Sequence, residues 1–119
     1  MTPLEKWIVL PKAAEDSDPS WFGFLISIRE KSGIDRANVI KYIEGKNIQT
    51  RLLFSGNLIK HPCFNQIRDT EAYRVVGNLD VTNYIMNNTF WVGVYPGMTD
   101  DMIDYMAQII TEAIEQCRK

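Results

Sequence analysis

The chain has 119 residues, of which 45% are hydrophobic and 24% charged, the balance of one soluble globular domain with material for a single core and not of a disordered segment. Thirteen basic against fifteen acidic residues leave a net charge of −2, so there is no broad positive field to neutralise a nucleic-acid backbone and no nucleic acid is expected as a partner. No apolar run approaches the roughly 20 residues that span a bilayer, and the opening MTPLEKWIVLPK lacks the basic, apolar and small-residue regions of a secretion signal, so no membrane partner is expected and the cytoplasm is the expected location.

The first element is a short apolar run, Trp7 to Leu10, stopped by Pro11 and followed by the polar KAAEDSDPS. Residues 1–19 are read as an inter-domain connection and residues 20–119 as the folded core of a single domain. The stretch WFGFLISIR, Trp21 to Arg29, is rich in aromatic and β-branched residues and too short for an independent helix, so it is expected to be a buried strand. Glu30 to Gly33 supply a turn. Asp35 then caps a helix whose Val39, Ile40 and Ile43 share a face, and which Gly45 or Asn47 ends in a left-handed conformation.

A strand follows over IQTRLLF, then the Gly56-Asn57 loop and an irregular stretch through HPCFNQIRDTEAYRVVGNL. Asp80 is expected to cap a short helix carrying Val81, Tyr84 and Ile85, and TFWVGVYP to form a third strand closed by Pro96-Gly97. The last element is a helix capped by Thr99, with Asp100 and Asp101 at its positive end and Arg118-Lys119 at its negative end. Met102, Met106, Ile109, Ile110, Ala113 and Cys117 repeat along it at helical spacing, a stripe expected to lie on a sheet. The fold class read from this order is an α+β two-layer sandwich, with a small antiparallel or mixed sheet of about three strands and helices on one face.

Few residues offer chemistry. His61, the single histidine, has no acidic or cysteine partner at local spacing, so no catalytic residue is assigned. Cys63 and Cys117 are the only cysteines; with no CxxC and no histidine pair they form no metal site, and each reads as a packed thiol. Arg51 stands beside a strand, where a guanidinium needs an anionic or carbonyl partner, an internal pair, or an edge position facing water. Ser55-Gly56-Asn57 either brings backbone N–H groups and an amide to a ligand or makes a plain turn.

Three stretches together carry a resemblance: DSDPSWFGFLISIR (16–29), IQTRLLFSGNLIKHPCF (48–64) and YRVVGNLDVTNYIMNNTFWVGVYPGMTDDMIDYM (73–106). They resemble the C-terminal small domain of CDP-6-deoxy-D-xylo-4-hexulose-3-dehydrase-like proteins of lipopolysaccharide biosynthesis, nucleotide-sugar 3-dehydrases within the DegT-type sugar aminotransferase family of fold-type I pyridoxal-phosphate enzymes. The resemblance covers nearly the whole chain.

It implies a larger protein that binds pyridoxal or pyridoxamine phosphate, allows an iron–sulfur cluster there, and removes the C3 hydroxyl of a 4-keto-6-deoxy nucleotide sugar. Its implied partners are a missing large domain, a homodimer partner, the nucleotide-sugar substrate and a reductase. The family's cofactor-facing histidine and cluster cysteines lie upstream, and His61, Cys63 and Cys117 match neither motif, so no cofactor or metal ligand is assigned to this chain. His61-Pro62 stands where the family commonly has glutamine before the proline. The substrate-binding residues carried over are Arg51 and Asn57, and the chain alone is expected to fold, bind no cofactor and be inactive. A fragment of a sugar aminotransferase and a free-standing α+β small-ligand module are the alternative readings.

Overall fold

The structure, a computed structural model, describes residues 2–118. Its centre is a four-stranded sheet of β1 (Ile8–Val9), β2 (Gly23–Ile28), β3 (Thr50–Leu52) and β4 (Thr89–Gly93), antiparallel throughout in the order β1-β2-β4-β3. The α+β architecture is the expected one, with a fourth strand added from the N-terminal stretch. Ile8 pairs with Ile28 and is fully buried, and Leu4 is buried ahead of it, so this apolar run closes one border of the core. Lys12 to Ser20 are exposed and carry no helix or strand.

Alternation along the strands separates two faces. Ile8, Ile26, Ile28, Phe90 and Val92 point to one and are buried under helices α1 (Arg36–Glu44) and α3 (Asp100–Cys117). Leu25, Ser27, Thr89, Trp91 and Arg51 occupy the other. There the hydroxyls of Ser27 and Thr89 share a hydrogen bond of 2.6 Å. A third helix, α2 (Asp80–Asn88), runs directly into β4, and Tyr84 Oη donates to the Ile28 carbonyl at the end of β2 (2.9 Å).

Asp35 caps α1 as expected, accepting the Ala37 N–H at 3.0 Å, and Val39 and Ile43 are its buried pair. The reversal after α1 falls on Asn47 (φ +63°), whereas Gly45 stays right-handed (φ −63°). At α2 the expected cap is displaced: Asp80 is the first helical residue, its N–H bonded to Asn78 Oδ1 at 3.4 Å. Val81 faces solvent at the start of α2, while Tyr84 and Ile85 are half-buried.

In α3, Thr99 Oγ1 accepts the Met102 N–H at 3.3 Å, with Asp100 and Asp101 in the first turn. Ile109, Ile110, Ala113 and Ile114 form its buried stripe. Ile114, one turn beyond Ile110, replaces Met102, which is exposed because it sits in the first turn, beyond the core. Arg118 lies at the C-terminal cap position, and Lys119 lies outside the described residues. Thr99→Ala, by orphaning that N–H, is expected to cost about 1 kcal/mol, read as a lowered urea midpoint with unchanged slope; Thr99→Ser should restore it.

Candidate functional site

The sequence points to the loop that leaves β3, and the structure shows how it is held. β3 stops after Leu52 because the chain turns at Phe54, which takes φ +44° with its ring exposed. A bulky residue in that region is strained by roughly 1–3 kcal/mol, so the surroundings must enforce the turn. Gly56 (φ +60°) follows, so close to α2 that a Cβ on it would lie 2.4 Å from Met86 Cγ. The loop therefore rests directly on a methionine of α2.

Asn57 is the loop's buried anchor, 2% exposed. Its Nδ2 donates to Asn83 Oδ1 at 2.8 Å and its N–H reaches Met86 Sδ at 3.3 Å. The Gly56 N–H donates to the Leu53 carbonyl (3.3 Å). These backbone donors are thus used within the chain, the plain-turn alternative for Ser55-Gly56-Asn57. His61 closes the same loop, its Nε2 lying 2.6 Å from the Ser55 carbonyl, and Arg68 Nη2 donates to the Ile59 carbonyl at 2.9 Å. Cys63 is exposed, not packed as expected, because it lies in the irregular loop after Pro62, while Cys117 is half-buried against the core; both are free thiols.

α2 is itself pinned from beneath. Arg36, at the start of α1, donates through Nη1 to the carbonyls of Met86 and Thr89, bridging the end of α2 and the start of β4. Partial burial pulls the pKa of this guanidinium down, with Asp35 opposing. The chain of support runs from Arg36 through α2 to Asn57.

Arg51 is exposed on edge strand β3, opposite Trp91 in the register. Its Nη1 donates to the Thr50 carbonyl at 2.9 Å and its Nη2 to Gln49 Oε1 at 3.4 Å. These bonds leave other guanidinium N–H groups open to solvent. Arg51 and Asn57 do not share a pocket: Arg51 borders an open depression of about 550 Å³ between β3 and α1, and Asn57 one of about 290 Å³ beside Arg74 and Val76. Asn83, Met86 and Arg36, the residues that fix the loop, carried no signal in the sequence. The one hint of close approach was Gly56.

The histidine is turned onto its own loop, and every described lysine is exposed. No described helix is long and apolar enough to cross a membrane.

Among known proteins, the chain is 48% identical over 107 residues to the lipopolysaccharide biosynthesis protein RfbH of Salmonella typhimurium, an alignment covering 90% of this chain and 24% of that protein. It is likewise 48% identical to the dTDP-4-dehydro-2,6-dideoxy-D-glucose 3-dehydratase of Saccharopolyspora spinosa, covering 90% of this chain and 22% of the relative. The fold superposes on the E. coli GDP-4-keto-6-deoxy-D-mannose-3-dehydratase, solved with bound hydrated PLP, with TM-score 0.73 and 27% identity, covering 90% of this chain and 28% of that one. The chain thus spans about a quarter of the length of these relatives. Residues 1–111 match the family model described as the DegT/DnrJ/EryC1/StrS aminotransferase family, and the chain belongs to that family.

Proposed function

We propose that this chain is the small domain of a pyridoxal-phosphate-dependent nucleotide-sugar 3-dehydratase of deoxysugar and lipopolysaccharide biosynthesis, acting in the cytoplasm. The observation that carries the reading is the 48% identity, across 90% of the chain, to a relative whose name specifies removal of a sugar 3-hydroxyl. In this reading the polypeptide ahead of Leu4 leads in from a larger domain that holds the cofactor, because Leu4 and Ile8, expected to lie in the connection, already belong to this core. That group supplies the electron sink through which the C3 hydroxyl is expelled. A second subunit, a reductase and an iron–sulfur cluster belong to the reading as parts of the whole system, outside this chain.

The chain's own contribution is to bind and orient the substrate. Arg51 offers open N–H groups on an edge strand, a planar fork suited to two diphosphate oxygens at once. Its hydrogen bond to the Thr50 carbonyl fixes the guanidinium near the sheet, so less freedom is lost on binding. Asn57, which borders a separate depression, contributes by holding the loop after β3: its amide is committed inward to Asn83, so Ser55 and Phe54 keep their positions when substrate arrives.

The test is made on the full-length protein supplied with pyridoxamine phosphate, a reductase with its electron donor for the two electrons that replacing the C3 hydroxyl by hydrogen consumes, and a 4-keto-6-deoxy nucleotide sugar. Wild type should release the 3-deoxy product. A charge-assisted contact is worth about 1.5–3 kcal/mol, so Arg51→Ala is expected to raise KM roughly ten- to a hundredfold with little change in kcat. Arg51→Lys should recover part of the loss, and thermal unfolding of both variants should match wild type because the side chain is exposed. Absence of 3-deoxygenation with every 4-keto-6-deoxy nucleotide sugar tried would remove the reading.

A further inference from the structure

The seam between α3 and the sheet is not filled along its whole length. Beside the first half of α3 lies an open groove of about 230 Å³, walled by Trp21 and Phe24 on one side and by Ile103 and Ala107 of α3 on the other, with Val92 and Val94 of the β4 segment beneath. No charged side chain lines it. Its origin is local: along the α3 ridge Ile103, Ala107, Ile110 the middle residue is only a methyl, which leaves a hollow between two bulky neighbours. Trp21 and Phe24 meet edge to face at 6.5 Å between centroids, which holds the aromatic wall upright. Trp21 is 36% and Ile103 49% exposed, so the groove is reached from solvent.

The rim of this apolar slot carries one sign of charge. α3 contains five carboxylates, Asp100, Asp101, Asp104, Glu112 and Glu115, and no lysine or arginine, although the whole chain is nearly balanced at thirteen basic and fifteen acidic residues. Asp100 stands one turn before Ile103 and Asp104 one turn before Ala107, so both edge the groove, and both are exposed. Just ahead of Trp21 the exposed stretch adds Glu15, Asp16 and Asp18 against the single Lys12.

We propose that this groove receives a basic amphipathic helix of a separate protein, whose apolar side chains enter between Trp21 and Ile103 while its lysines and arginines face Asp100 and Asp104. Charge complementarity selects that occupant, because a helix laid in an apolar slot brings its polar flanks against the rim. A second copy joined symmetrically here would instead set these aspartates against their own counterparts. The groove opens on the helix side of the sheet, whereas Arg51 lies on the opposite face, so a helix bound there leaves the proposed substrate cleft free. The groove and its charges stand whichever sugar reaction the whole protein performs.

The test is fluorescence anisotropy on the full-length protein with a labelled synthetic helix of leucine and lysine, and a leucine and glutamate helix as its control. The basic helix should bind saturably at one per chain and the acidic one should not. Ala107→Leu fills the groove without altering charge and should weaken binding about tenfold or more, with an unchanged circular dichroism spectrum. Asp100→Asn/Asp104→Asn, at two exposed positions, should weaken it too and reduce its dependence on salt. Ala107→Leu binding as tightly as wild type overturns the proposal, since the peptide is then held by charge alone. Equal binding of both helices overturns it, as does no binding to the folded full-length protein, where the groove is covered by its own polypeptide. Self-association that Ala107→Leu abolishes would give the groove to a second copy and overturn it as well.

Discussion

Phe90→Ala is expected to remove about 3–5 kcal/mol of folding stability, a large part of the 5–15 kcal/mol that holds a domain together. Phe90 is fully buried in β4, with Ile26 across from it on β2 and Leu52 on β3. β4 is an inner strand joining both halves of the sheet, and its surroundings are fixed by hydrogen bonding, so they cannot collapse into the space left by the ring. Urea unfolding should show a midpoint well below wild type with little change in slope. Leu52→Ala, in the same register row but 53% exposed, should cost less than about 1 kcal/mol. Equal losses at the two positions would contradict the assignment of Phe90 to the core.

Gly56→Ala carries the second large effect, expected at about 2–4 kcal/mol from a left-handed backbone and an overpacked contact together. The added Cβ would meet Met86 Cγ at 2.4 Å and Cβ at 2.8 Å, and α2 is held by Arg36 and cannot retreat freely. Relief of the steric part should come from the partner: in Gly56→Ala/Met86→Ala the loss relative to Met86→Ala alone is expected to shrink to the backbone part, about 1 kcal/mol. Thermal melts of the four proteins in this cycle give the coupling. A Gly56→Ala loss that persists in full after Met86 is cut back would place the strain elsewhere.

Elements with strong local signals were legible before the structure. Asp35 and Thr99 cap the helices that their spacing implied, and β2 and β4 fall inside the aromatic and β-branched runs. Ile8–Val9 was not legible as a strand, because two residues show no alternation and only pairing with Ile28 reveals them. The early end of β3 was hidden for a different reason: positive φ is anticipated at glycine or asparagine, not at Phe54. At the site, the charge of Arg51 could be read directly. The anchors of Asn57 lie 26 and 29 positions away in α2, a distance that local pattern cannot bridge. Family membership, in contrast, was carried by strings such as TRLLF and NNTFWVGVYPG, and the match over residues 1–111 bears it out.

The outermost strands, β1 with two residues and β3 with three, are very short. Pro11 follows the first closely, and the second carries a charged side chain and is bent away at Phe54. Newcomers seeking a backbone template therefore find almost no ladder to extend. Two copies meeting edge to edge thus have few free backbone groups to pair, and the sheet ends at four strands.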